Sequence, residues 1–206
     1  MPRKFMFTKE EIISAALELT RRGGMAALTA RALGAELGTS SRPVFSLFKN
    51  MEEVQTEVIK AANNLYQSYL QEDMASGKYP PYKASGMAYI RFSREERELF
   101  KLLFMRDRSR ESKEENKEEI RPLLEIIKRQ LGLNEEDAYC FHLEMWIYVH
   151  GIATMLATSY LEWDEEFISR VVTDGYEGMK ARYLQRKQEL SGSQETESGS
   201  GNQETE

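Results

Sequence analysis

Three side chains are suited to nucleophilic or metal chemistry, and their spacing argues against it. Cys140 and His142 are two residues apart, which on a helix places them about 200° apart around the axis. His142 and His150 are eight residues apart, about 12 Å along a helix, too far to share one metal ion. No Gly-rich phosphate loop, HExxH motif or nucleophile elbow is present. The run Glu111–Glu119 pairs charges at helical spacing and reads as a solvated helix start. The sequence therefore predicts no catalytic residues, no metal and no cofactor, and not an enzyme. A different chemistry is written between residues 29 and 49. Ser40, Ser41, Arg42, Phe45, Ser46 and Lys49 are mostly short polar side chains with one arginine, which suits a helix whose N-terminal end enters the major groove of DNA. Arg42 has the reach for guanine O6/N7 or for a phosphate. Thr29, at the start of the preceding helix together with Arg31, is placed to hold a backbone phosphate.

Those residues need a scaffold, and the same stretch supplies one. Thr29 can cap a first helix whose inward face is Leu33 and Leu37. Gly38 follows where the chain must leave that helix sharply. Ser40 or Ser41 can cap a second helix, with Pro43 in its first turn, where a missing N–H costs little. Val44 and Phe48 then face inward, and Ile12, Ile13, Ala16 and Leu17 complete the core from an earlier helix. This is a helix-turn-helix; a plain helical hairpin is the bland reading of the same pattern.

The rest of the chain reads as helix almost throughout. The pattern predicts an all-α fold of about nine helices: 8–22, 29–37, 41–48, 51–75, 82–93, 94–106, 113–131, 135–161 and 164–188. Thr8 with Glu11 and Ser93 with Glu96 read as capping boxes; Asn50 with Glu53 and Asn134 with Asp137 are looser versions. Helix 51–75 carries a stripe of Val54, Val58, Ala61/Ala62, Leu65 and Tyr69 long enough to link a head to a body. The expected organisation is a DNA-binding head over 1–50, a ligand-binding and dimerisation domain over 51–190, and a disordered acidic tail over 191–206. Ser191–Glu206 has no apolar side chain and no Lys or Arg.

Composition agrees with this division. The net charge is −6, yet residues 1–50 hold eight basic against four acidic side chains, leaving −10 for the remainder. A small basic head on an acidic body fits local DNA contact. No window approaches a membrane span, Met1–Thr8 lacks the apolar core of a signal peptide, and the single Cys140 forms no internal disulfide. The sequence thus predicts a cytoplasmic protein without membrane association.

Residues 8–60 resemble the N-terminal domain of TetR/AcrR-family regulators. The resemblance rests on a first helix ending in a Gly pair, Leu28-Thr29, Leu33, Glu36-Leu37-Gly38, Ser40, an aromatic at 45, Phe48 and a Glu pair opening the next helix. A second resemblance, to the Trp/His-Gly subtype of the family's C-terminal domain, rests on Trp146-Ile-Tyr-Val-His150-Gly151, preceded by Glu98–Phe104. The family resemblance implies an all-helical homodimer with a three-helix DNA head and a larger ligand-sensing body. Three positions depart from the family pattern: Phe45, Leu47 and Met51 stand where Tyr, His and Lys are common and typically contact phosphate.

In the body, Phe92, Phe100, Phe104, Met105, Tyr139, Met145, Trp146 and His150 are soft, adaptable side chains that can line a pocket for an apolar or aromatic effector, or simply be core. By the resemblance, the last two helices form a dimer interface, through Ile152, Leu156, Phe167, Val171, Gly175 and Met179. The functional expectation is a ligand-responsive repressor that binds a pseudo-palindromic double-stranded DNA operator as a homodimer. The alternative is a dimeric helical ligand-binding or protein-interaction module with weakened DNA binding.

Overall fold

The structure is a computed structural model that describes residues 7–107, 109 and 113–199, with the side chains of 113–117 and 190–199 left aside. Among the described residues it is all helical: α1 (Lys9–Ala27), α2 (Ala30–Glu36), α3 (Val44–Leu47), α4 (Met51–Ala75), α5 (Pro81–Glu95), α6 (Arg97–Phe104), α7 (Lys113–Leu131), α8 (Glu135–Ala157) and α9 (Glu165–Gly199). The backbone groups into two compact units. Of the described residues, the first comprises 7–107 and 109 with Gly151–Glu162, the second 113–150 with 163–199.

The first unit contains the head. The Thr8 hydroxyl accepts from the Glu11 N–H, and the Glu11 carboxylate accepts from the Thr8 N–H, closing the capping box that starts α1. The Gly23-Gly24 pair interrupts the helical backbone, as expected, but the helix resumes to Ala27 beyond the kink. Ile12, Ala16, Leu28, Leu33, Val44, Phe48, Val54 and Val58 form one buried cluster drawn from α1 to α4. α4 packs along α5, and α1 also packs on α6.

The capping box expected at Ser93 and Glu96 does not form. α5 continues to Glu95, so Ser93 is buried inside it and its hydroxyl donates to the Ile90 carbonyl. The Glu96 carboxylate instead accepts from Arg21 of α1 at 2.7 Å. A tertiary ion pair has taken the acid that the local cap would have used.

In the second unit, Phe141 packs edge-on against Tyr176 and Tyr183 of α9. The Tyr183 hydroxyl donates to Glu144, and that of Tyr148 to the Val171 carbonyl. Leu124, Ile127 and Leu131 of α7 are buried, as are Ile168 and Val172 of α9. α9 runs past its expected end near 188 and is helical through Gly199. Residues 200–206 of the expected tail lie outside the described residues.

Candidate DNA-binding site

The site is assembled from two short helices and the turn between them. Thr29 adopts extended backbone angles and its hydroxyl accepts from the Ala32 N–H at 3.1 Å, which starts α2. Gly38 ends it with φ of +68°, in the left-handed region. The turn is then tied back to α2, because the Thr39 N–H donates to the Gly34 carbonyl at 2.8 Å. Gly34 itself is pressed against the turn. A Cβ there would lie 2.8 Å from both Ser40 C and Ser41 N. Only a residue without a side chain lets the turn approach this closely.

α3 is shorter than expected. Its regular helix spans only Val44–Leu47, with Pro43 as N-cap and no side-chain cap. This corrects the prediction of a helix over 41–48 capped by Ser40 or Ser41. Pro43 disfavours the helical conformation for Arg42, so the helix cannot extend back through that residue. The Ser40 hydroxyl accepts from the Arg42 N–H at 3.4 Å, and Ser46 bonds the Pro43 carbonyl through both its N–H and its hydroxyl. Beyond α3, the Asn50 side chain caps α4 through the Glu53 N–H, and Glu53 accepts from the Lys49 N–H at 2.7 Å. That backbone bond, with Lys9 and Lys49 nearby, holds the Glu53 carboxyl below the usual range. Lys9 also lies over the Phe48 ring, 5.1 Å from its centroid, so α1 and the α3–α4 junction are clamped together.

The arrangement leaves Thr29, Arg31, Ser40, Arg42, Phe45, Ser46 and Lys49 exposed, and Ser41 half-buried. Among the described residues no ion pair involves Arg31, Arg42 or Lys49, whereas Arg21 and Arg22 are paired with Glu96 and Glu36. Three exposed cations outside any such ion pair, and several short hydroxyl side chains on a helical pair, can bind an anionic backbone and hydrogen-bond base edges.

The three departures from the family pattern separate here. Leu47 and Met51 are partly buried against the head core. Each packs on that cluster with part of its side chain. Phe45 alone of the three is exposed, at 45 %.

Sequence reasoning missed two further features, Gly34 beneath the turn and the Arg21–Glu96 pair that ties α1 to the α5–α6 junction. Gly34 carried one signal, since an isolated glycine inside a helical pattern usually has a packing reason. Arg21 and Glu96 carried none, being 75 residues apart. Burial disfavours the Arg21 charge, but the bond to Glu96, with Glu18 alongside, outweighs it and holds the guanidinium more firmly protonated than usual.

The expected pocket residues fall in both units. In the first, Phe92 and Phe100 are fully buried, and Phe100, Phe104 and Tyr89 pack edge-on or tilted with centroids 4.8–5.2 Å apart, joined by Tyr66. Met105 is exposed. In the second, Met145 is buried, Tyr139 half-buried, and the Trp146 ring stacks on His150 at 4.9 Å. Trp146 is nonetheless 39 % exposed, beside exposed Leu143 and Ile147. Of the residues expected at a dimer interface, Ile152 and Leu156 are buried within the single chain, so their side chains serve its own core. Phe167, Val171, Gly175 and Met179 are half-buried on α9, with Gly175 close against the Tyr148 ring. Among the described residues no cluster of His, Cys, Asp and Glu is arranged to hold a metal ion. No described helix is long and apolar enough to cross a membrane.

Comparison with known families gives two matches along the chain. Residues 12–58 match the family model described as bacterial regulatory proteins, tetR family. Residues 82–174 match the model described as tetracyclin repressor-like, C-terminal domain. No curated protein matches the chain. An N-terminal match over the helix-turn-helix and a C-terminal match over α5 to α9 follow each other in the order the helices do, and the chain therefore belongs to the TetR family of DNA-binding transcription regulators.

Proposed function

We propose that the chain is a cytoplasmic, ligand-responsive repressor that binds a pseudo-palindromic operator as a homodimer. The observation that carries the DNA-contacting residues is the exposed face of α2, the turn and α3, where Arg31, Arg42 and Lys49 enter no ion pair among the described residues. Arg42 is placed to reach a base or a phosphate, and Lys49 a phosphate.

The homodimer reading is supported by α8. Leu143, Trp146, Ile147 and His150 recur at spacings of three and four, and Ile147 is 65 % exposed. An apolar stripe of this kind on a water-soluble helix fits a twofold mate. Two heads would then address half-sites about 34–36 Å apart, or a modest multiple.

The effector reading is supported by the rings between α4, α5 and α6. An apolar or aromatic ligand would compete for the ring contacts of half-buried Phe104 near exposed Met105. α4 and α6 both touch the head core, through Val54 and Val58 and through Leu102. A ligand that bound two arrangements of these helices differently would thereby change operator affinity.

The test is a gel shift with the full chain and the DNA flanking its own gene at two salt concentrations. Neutralising roughly 6–10 phosphates predicts an affinity loss of about 10³–10⁵ between 50 and 200 mM salt. Absence of binding at the lower salt would refute the operator reading and favour a dimeric ligand-binding module.

A further inference from the structure

The apolar side chains of the head are accounted for, with one exception. Its buried residues and its partly buried ones, Leu47 and Met51 included, pack on a single cluster. Phe45 is, among the described head residues, the one large apolar side chain left exposed. No ring or cation packs on it among the described residues. Arg42, three residues before it, and Ser46, the next residue, are both exposed, so an apolar surface sits beside polar and cationic ones.

A phenyl ring offers neither a donor nor an acceptor, so it cannot hold a phosphate oxygen. On the base edges of the major groove the complementary group is the C5 methyl of thymine. We infer that Phe45 is a specificity residue that reads one thymine methyl in each half-site, with Arg42 and Ser46 supplying polar contacts on either side of it. This rests on the seating of α3 in the major groove proposed above. Burying the ring against a methyl also explains how an exposed phenylalanine contributes on a surface otherwise made for water and anions.

The experiment selects DNA from a random-sequence library with the full chain and then replaces each thymine of the selected site, one at a time, by deoxyuridine. Dissociation constants are measured by fluorescence anisotropy for the natural chain, Phe45→Leu and Phe45→Ala. One thymine per half-site should weaken binding by about fourfold when its methyl is removed, the equivalent of about 0.8 kcal/mol for one buried methylene-sized group. Phe45→Leu should keep most of that sensitivity, and Phe45→Ala should lose it at that thymine alone. The deoxyuridine series on the natural chain needs no variant to fold. The inference is overturned if no thymine methyl matters, as when the ring wedges between base steps or meets a protein, or if the same thymine stays equally sensitive in Phe45→Ala. Failure to enrich any DNA would overturn the seating of α3 itself, and this inference with it.

Discussion

Gly34→Ala places one methyl group where the structure has no room for it. The new Cβ would meet Ser40 C and Ser41 N at 2.8 Å and Ser40 O at 3.1 Å. These are backbone atoms of the turn, so no side-chain rotation relieves the clash. Ordinary contact requires a retreat of roughly 0.6 Å or more, which also lengthens the 2.8 Å bond from the Thr39 N–H to the Gly34 carbonyl. Overpacking of this kind costs about 1–3 kcal/mol, and the weakened hydrogen bond adds about 1 kcal/mol. Alanine in place of glycine returns about 1 kcal/mol through helix propensity. The net expectation is a loss of about 1–3 kcal/mol in urea denaturation followed by circular dichroism. Since the displaced backbone carries Ser40, Ser41 and Arg42, affinity for flanking DNA at 50 mM salt should fall about tenfold or more. Gly38→Ala is the control. Its φ of +68° makes alanine strained, at about 1–2 kcal/mol, but nothing lies within 4 Å of the added carbon. It should lose comparable stability and keep its affinity for DNA. A Gly34→Ala chain as stable as the natural one, bound as tightly, would refute the argument that the turn is pinned against α2.

The remaining predictions concern charge. Arg21→Met leaves Glu96, whose side chain is only 10 % exposed, without its 2.7 Å partner. The expected cost is about 2 kcal/mol in chemical denaturation, below the roughly 3–5 kcal/mol of fully buried pairs because Arg21 is a third exposed; a double change with Glu96→Gln should recover part of it. His142 is buried, and burial pushes its imidazole down to about 4 from 6.5. The unfolded chain therefore binds a proton in the window from about 6.5 to 4 that the folded chain excludes, so stability is complete above that window and falls as pH drops through it. The expected loss from this group is about 2 kcal/mol between pH 7.5 and 5. Denaturation midpoints of the natural chain and His142→Phe across that range measure it, and a slope that survives the substitution would assign the loss elsewhere.

How much of this was legible in the sequence depends on how local each feature is. The capping box of Thr8 and Glu11, the cap at Thr29 and the cap at Asn50 involve partners three residues apart, and all three form. Leu33, Val44 and Phe48 were readable as core because helical spacing puts them on one face, and each is buried. The exposed face of the helix-turn-helix followed by elimination. The start of α3 was misread, although Pro43 held the information in its effect on Arg42.

The sequence by itself determined the helical class, the order of the elements and the identity of the head. These depend on periodicity and capping, which act within a turn or two of helix. Tertiary structure decided which side of a long apolar helix is covered. α8 is apolar nearly all round, and only its packing shows that Ile152 and Leu156 are interior while Trp146 and Ile147 are exposed. Tertiary structure likewise decided that Glu96 pairs with Arg21 rather than capping α6, that Leu47 and Met51 pack, partly buried, against the head core, and that Gly34 must have no side chain. Each of those outcomes depends on the approach of segments that meet only when the chain folds, and on distances between backbones that local spacing does not encode.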